Sequence, residues 1–152
     1  MAAPLLQAEI DINAPLPKVW ELISDVSRMP EWSPQCRLMK PLGPVRPGTR
    51  TLNLNRRKFL FWPTTCTVTE VVPEQKLAFK VDANRTVWSY ELEPTAGGGT
   101  RVVESRHAEN GTTAVSNLLV DKLMGGVPSF EQELIEGMNA SLERIKAAAE
   151  RG

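Results

Sequence analysis

Glu104 and Arg106 are the residues of this sequence whose types and spacing most suggest chemistry. They lie two positions apart on a predicted strand, so both side chains point to the same side of it. If that side is the interior, two charges share an apolar space and must meet each other or a polar ligand group. Such a pair would bind a carboxylate or polarise a carbonyl. If that side is the exterior, both are surface charges. The exterior is slightly favoured, because the alternate residues of this strand form no clearer interior face.

Tyr90 and His107 are each the single residue of their type. A buried tyrosine hydroxyl needs a partner, which is either structural or a ligand, and the two alternatives are weighed evenly. His107 suits acid–base chemistry at neutral pH, but no nucleophile motif or second histidine accompanies it, so we predict no catalytic role. Cys36 and Cys66 are not at zinc-ligand spacing. Because the sequence also shows no nucleotide-binding loop, it predicts no metal and no cofactor.

Length and charge narrow the class of protein. The chain has 152 residues, with 18 basic and 18 acidic side chains, which predicts one domain over residues 1–152 and no nucleic-acid partner. The sequence shows neither a signal peptide nor a run of ~18 apolar residues, so we expect a cytoplasmic protein with reduced thiols. The charge is nevertheless divided along the chain, because residues 35–60 contain seven basic residues and no acidic one.

Hydrophobic periodicity predicts the elements that position these residues. Residues 6–12 alternate as a half-buried strand, and Asn13 is the expected N-cap of a helix over 16–25. The proline-rich segment 29–34 is expected to be a loop or broken turn. Six more strands are expected at about 35–42, 49–56, 62–72, 76–82, 85–93 and 100–109, separated by Gly, Pro and Asn turns. Their short connections make sequential strands antiparallel.

Helical spacing dominates the last quarter of the chain. Residues 114–124 are expected to form a helix, and Ser129 with Gln132 resembles a capping box. An apolar stripe then predicts an amphipathic helix of about 20 residues. The stripe consists of Phe130, Leu134, Met138, Leu142, Ile145 and Ala149. The order of elements predicts an α+β fold, in which a seven-stranded curved antiparallel sheet surrounds the C-terminal helix and short helices follow the first strand. Such a sheet and helix leave a space that suits an apolar ligand.

Three stretches of the chain resemble a known superfamily. They are Ile12–Pro15 with the following Lys18–Leu22 and Pro30–Trp32, then Trp88–Pro94 with Gly98–Val102, and finally Gly137–Met138 with Ser141–Lys146. In this order they resemble the START-related, Bet v 1-like superfamily, in its polyketide cyclase/dehydrase and lipid-transport group. The resemblance covers nearly the whole chain and implies the helix-grip fold. Members of that superfamily include ligand carriers, cyclases and hormone receptors, so function must be argued from the pocket.

Strand parity selects the candidates for the wall of that pocket. Trp32, in a proline-flanked loop, and Trp62, at the start of a strand, are candidates to gate its mouth. The remaining candidates lie on interior strand faces or on the helix stripe, and the simpler alternative for each is a role in the core. The full set is Trp32, Leu52, Leu54, Trp62, Phe79, Val81, Trp88, Tyr90, Glu104, Arg106, Phe130, Leu134 and Met138.

Residues 56–62 form the most amphipathic patch of the chain, three basic residues followed by Phe-Leu-Phe-Trp. The simpler interpretation is a hairpin tip with one buried side. The alternative is a tip that touches a membrane or an acidic partner. We favour the first, because one short basic cluster gives only marginal attraction to a membrane.

Three functions remain, in order of preference. The first is a binder or carrier of a small hydrophobic molecule such as a lipid, polyketide or isoprenoid-like compound. The second is an enzyme of the polyketide cyclase, aromatase or dehydratase type, in which Glu104, Arg106 or Tyr90 moves or polarises protons. The third is a protein-interaction module that uses residues 59–62. If those three side chains point into one cavity and lie within hydrogen-bond reach of a common point, the second function is favoured. An exposed apolar patch without an internal cavity would favour the third.

Overall fold

The structure, a computed structural model, describes residues 5–83, 85–108 and 127–151, and the side chains of 127–130 lie outside that description. Strand β1 (Leu5–Ile12) leads into helix α1 (Leu16–Ser24), a 3-10 turn (Val26–Arg28) and the short helix α2 (Met29–Trp32). The strands that follow are β2 (Cys36–Pro41), β3 (Arg50–Arg57), β4 (Leu60–Val72), β5 (Lys76–Val81), β6 (Val87–Pro94) and β7 (Thr100–His107). Helix α3 (Val127–Glu150) comes last.

One antiparallel sheet contains all seven strands, in the order β1-β7-β6-β5-β4-β3-β2. Five consecutive hairpins join β2 to β7, as the short connections predict, and β1 closes the row by pairing with β7. The segment α1–α2 carries the chain from one sheet edge to the other. The predicted helix-grip architecture is confirmed.

Helix α3 divides into two parts along its length. Its C-terminal part buries Leu142, Ile145 and Ala149 in the core, against α1 and β1. Ile145 is completely buried, and its side chain contributes about 2–3 kcal/mol to stability. The N-terminal part, from Glu131 to Ser141, lies over the open half of the sheet. The core therefore fills the space between α3 and the sheet at one end and leaves that space open at the other end.

Local predictions differ from the structure in three places. Asn13 is not the N-cap of α1, because Pro15 occupies that position and Asn13 instead donates its backbone N–H to Glu150 at 2.7 Å. Segment 29–34 is not wholly irregular, since it contains α2. Ser129 lies within α3 rather than at its start. The helix expected over 114–124 lies outside the described residues, and no described helix is long and apolar enough to cross a bilayer.

Candidate functional site

A cavity of about 790 Å³ lies between the inner face of the sheet and the N-terminal part of α3. Such a volume is typical of small-molecule sites. Its apolar wall includes Trp62, Phe79, Val81, Trp88, Leu134 and Met138, which are all sequence candidates. The structure therefore brings together most of the residues that strand parity and the helix stripe select. The side chain of Phe130 lies outside the described part.

Small residues on α3 maintain this space. Gly137, Ala140 and Ser141 face the cavity, while the larger Leu142 begins the packed core. A Cβ added to Gly137 would come no closer than 3.9 Å to Pro34. Helix and sheet thus meet without the interdigitation that fills an ordinary core. Small side chains at these three positions leave room between α3 and the sheet, beside the larger Leu134 and Met138 of the wall.

Residues on β3 and β4 give the cavity a polar side. Asn53 donates its side-chain N–H groups to Thr64 at 3.2 Å and to the Cys66 sulfur at 3.1 Å, and Asn55 donates to Thr64 at 2.9 Å. Thr51 donates to the Asn53 oxygen at 2.9 Å. These bonds give the amide N–H groups of Asn53 and Asn55 partners on β4, as buried polar groups require.

The prediction that Leu52 and Leu54 face the interior is wrong. Both are exposed, at 46% and 36% of their surface, and the alternate residues of β3 line the cavity instead. The pairing of Thr51 with the buried Cys66 fixes this parity. Sequence reasoning missed Asn53 and Asn55 because it assigned the more apolar face of the strand to the interior. The register from β4 was the signal that could have found them.

Glu104 and Tyr90 form the chemical centre of the site. They oppose each other across β7 and β6 and both line the cavity. The Tyr90 hydroxyl donates to Glu104 Oε2 at 3.1 Å and also contacts the Met29 sulfur at 3.7 Å. Glu104 Oε1 has no hydrogen-bond partner within the described part of the chain. The slight preference for an exterior position is therefore wrong, because Glu104 and Arg106 are both buried and line the cavity.

Burial controls the protonation of this pair. It raises the pKa of Glu104 from 4.5 to about 8, and the hydrogen bond from Tyr90 offsets only part of that rise. Burial also raises the pKa of Tyr90 well above 10.0, with a further contribution from the charge of Glu104. At neutral pH the site therefore holds two uncharged O–H groups. Together they can donate to, and accept from, a polar ligand atom.

Two ion pairs connect the sheet to α3 at the cavity wall. Arg106 lies at 2.9 Å from Glu131, and both side chains are largely buried. Arg57 binds Glu133 through two N–H groups, each at 2.6 Å. The Arg57 guanidinium lowers the pKa of Glu133 below its ordinary value. Arg106 faces the interior as the cavity hypothesis required, but its described ion-pair partner is Glu131 on the helix.

Trp32 and His107 do not belong to the cavity wall. The prediction that Trp32 gates the mouth is wrong, because α2 places it in the core with 3% exposure. Arg28 stacks on its ring at 5.1 Å, and Arg144 donates to its carbonyl at 3.0 Å.

Within the described residues, no cluster of His, Cys, Asp or Glu is arranged to hold a metal ion.

Comparisons with known proteins agree with this architecture. A polyketide-cyclase-like protein from Corynebacterium glutamicum is 26% identical, with a TM-score of 0.65, over 95% of this chain and 90% of that one. An aromatase/cyclase from Streptomyces sp. R1128 is 13% identical, with a TM-score of 0.73, over 97% and 93%. A di-domain aromatase/cyclase from the steffimycin biosynthetic pathway is 13% identical, with a TM-score of 0.73, over 97% of this chain and 50% of that one.

The similarity at 13% identity shows the fold alone. No curated protein matches the chain. The family described as polyketide cyclase/dehydrase and lipid transport matches residues 4–150. That match spans every described strand and helix, including the β6–β7 pair that carries Tyr90 and Glu104. The chain belongs to the polyketide cyclase/dehydrase and lipid transport family.

Proposed function

We propose that this protein binds a small, mainly apolar and uncharged molecule that carries a carbonyl or hydroxyl group. A lipid, a polyketide or an isoprenoid-like compound has this chemistry. The observation that carries the proposal is the buried Glu104–Tyr90 pair in a cavity with an extensive apolar wall. A carbonyl or hydroxyl oxygen beside Glu104 Oε1 would complete the hydrogen bonding of the pair.

The electrostatics of the wall favour an uncharged ligand. Arg57 and Arg106 are already paired with Glu133 and Glu131. At those two arginines an anionic ligand would have to compete with a carboxylate of α3, and the other basic residues of the lining, Arg37, Arg56 and Lys58, are exposed to solvent. A cationic ligand would need Glu104 to ionise, which burial opposes. A neutral polar group neither competes with those carboxylates nor requires Glu104 to ionise.

The test is titration with N-phenyl-1-naphthylamine, an uncharged probe that fluoresces in apolar sites. We expect saturable binding by the native chain. Gly137→Leu places a large side chain in the cavity and should abolish binding. Asn139→Leu adds the same side chain to an exposed position of α3 and should leave binding intact. Absence of saturable binding, or equal binding by both variants, would contradict the proposal.

Competition between ligands of equal chain length tests the polar group. We expect decanol to displace the probe at least ~10-fold more effectively than decanoate or decylamine, because only the latter two bring a charge into the cavity. Glu104→Leu should remove the preference for decanol over decane. Displacement by decanoate at the lowest concentration would instead indicate an anion site at the arginines.

A second candidate function is catalysis, and the protonation of Glu104 favours it. A carboxylic acid with a pKa of about 8 is suited to give a proton to a carbonyl or departing hydroxyl oxygen at neutral pH. An enzyme of the cyclase or dehydratase type needs such an acid in a cavity that shapes its substrate. Incubation with a synthetic poly-β-ketone, followed by mass spectrometry of the products, separates the two functions. A catalyst would lose turnover in Glu104→Gln while still binding the compound.

A further inference from the structure

The outer side of the sheet at β2–β4 exposes an apolar surface. We define this outer face by Leu38, Leu52, Leu54, Phe59 and Phe61. Phe59, at the tip of the β3–β4 hairpin, is 94% exposed, and Phe61 is 55% exposed. Leu54 opposes Leu38 across β2–β3, so the leucines form a continuous row behind the tip. The leucines that strand parity wrongly assigned to the interior therefore belong to one exposed surface rather than to scattered sites.

Positive charge surrounds this outer face. Lys40 opposes Leu52, Arg56 opposes Phe61, and Lys58 precedes Phe59 at the tip. The Arg56 guanidinium lies 5.3 Å from the centre of the Phe61 ring. Arg50, at the other end of β3, lies 3.9 Å from Asp82. The sequence contains no Asp or Glu between residues 35 and 69, so the segment itself supplies no acidic group to balance these charges.

We propose that the outer face docks on an anionic lipid bilayer, with Phe59 inserted among the headgroups. A bilayer accepts a projecting aromatic ring without a preformed pocket, whereas a folded protein partner must supply one. The surrounding cations match phosphate and carboxylate headgroups, and the arginine and lysine stems can lie along the apolar surface. A second copy of this chain is a poorer fit, since self-association would bring the cations together.

The hairpin also borders the cavity. Arg56, Lys58 and Trp62 line its edge, and Phe59 projects from the same turn. Lys58 has a φ of 57°, and its backbone carbonyl accepts from Arg56 at 2.7 Å, which holds the turn in a defined shape. Docking through this tip would bring the edge of the cavity to the lipid surface. The docking proposal does not depend on what the cavity binds.

Vesicle co-sedimentation tests the proposal. Vesicles of phosphatidylcholine with phosphatidylserine should bind the native chain at low salt, and vesicles of phosphatidylcholine alone should bind it much less. Phe59→Ser should lower the partition coefficient by about 10-fold, since it removes the inserted ring. Lys58→Asn should lower the partition coefficient by about 5-fold, since it removes one positive charge. Asparagine is the replacement because it tolerates the positive φ of this position. Leu5→Ser, an exposed change on the opposite edge strand, is the matched control and should have no effect.

Several outcomes would overturn the proposal. One is the absence of binding to anionic vesicles at low salt. Another is a concentration-dependent dimer that Phe59→Ser abolishes, which would identify a second copy as the partner. Binding to poly-glutamate as tight as binding to vesicles, with neither changed by Phe59→Ser, would identify an acidic partner that recognises charge alone. Binding of N-phenyl-1-naphthylamine should be the same in native and Phe59→Ser protein, so failure here is distinguishable from failure of the cavity proposal.

Discussion

The burial of Glu104 makes a quantitative prediction about stability and pH. In the unfolded chain this carboxyl has its ordinary pKa of 4.5, and in the folded chain its pKa is about 8. Between these values the native state holds a proton that the unfolded state has lost. Stability must therefore fall as pH rises through that window. Below it, the carboxyl is neutral in both states and has no effect on the pH dependence.

The size of the effect follows from the pKa difference. Each pH unit within the window costs about 1.4 kcal/mol, so the full rise from 4.5 to about 8 corresponds to about 5 kcal/mol. Glu104→Gln removes the titration and keeps an oxygen that accepts from Tyr90. We expect the variant to match the native chain within about 1 kcal/mol near pH 4.5, and to exceed its stability by several kcal/mol above pH 8.

Urea unfolding followed by tryptophan fluorescence measures this difference. The free energy of unfolding of both proteins is compared from about pH 5 to about pH 9, so that groups common to both cancel. Glu9→Gln, an exposed change on β1, serves as the control and should follow the native profile. Parallel profiles for the native chain and Glu104→Gln would show that Glu104 is ionised in the folded state, and would refute its assignment as a neutral donor.

Three further predictions follow from the same wall. Tyr90→Phe should lower the free energy of unfolding by about 1–2 kcal/mol in urea titrations and raise the pKa of Glu104 further, because the carboxylate loses its donor. Arg106→Met should lower the free energy of unfolding by about 3 kcal/mol, and Arg57→Met should lower it by less than about 1 kcal/mol. The reason is that only the Arg106–Glu131 pair is largely buried, so equal losses would contradict this prediction. Burial raises the pKa of Cys36 and Cys66 to about 11, so iodoacetamide at neutral pH should modify the native thiols at least ~100-fold more slowly than the unfolded ones, as followed by mass spectrometry.

The sequence was sufficient for the architecture because the relevant signals are local. Gly-Pro, Pro-Glu and triple-glycine turns separate strands that pair with their neighbours, and the stripe of α3 needs only a period of 3.6. The two tryptophans predicted to be gates show where local signals end. Trp62 lies on the cavity wall, whereas Trp32, which we predicted to be a gate for a similar reason, is in the core. What decides its position is packing by α2 and Arg144, a residue 112 positions away.

The error at Leu52 and Leu54 has a physical cause. Assigning the more apolar face of a strand to the interior works where the other face meets only water. On β3 the interior face carries Thr51, Asn53 and Asn55, because the cavity has a polar side, and the outer face carries leucines. The polar interior face and the apolar outer face of β3 both reverse the usual pattern of a strand. Each of the two faces belongs to a surface for which we propose a function. The register from β4, rather than hydrophobicity, was the reliable guide.

The zero net charge of the chain conceals a spatial order that connects both proposals. Arg56 and Arg57 are adjacent at the end of β3, so their side chains point to opposite sides of the sheet. Arg57 points inward and is neutralised by Glu133 of α3. Arg56 and Lys58, its neighbours, extend from the hairpin beside Phe61 and Phe59. The inward cation therefore closes the grip and leaves the cavity suited to neutral ligands, while the outward ones remain for a surface of opposite charge. Substitution of Phe59, which projects from the tip away from the cavity lining, should thus change vesicle binding without changing the cavity, and substitution of Arg57 should do the reverse.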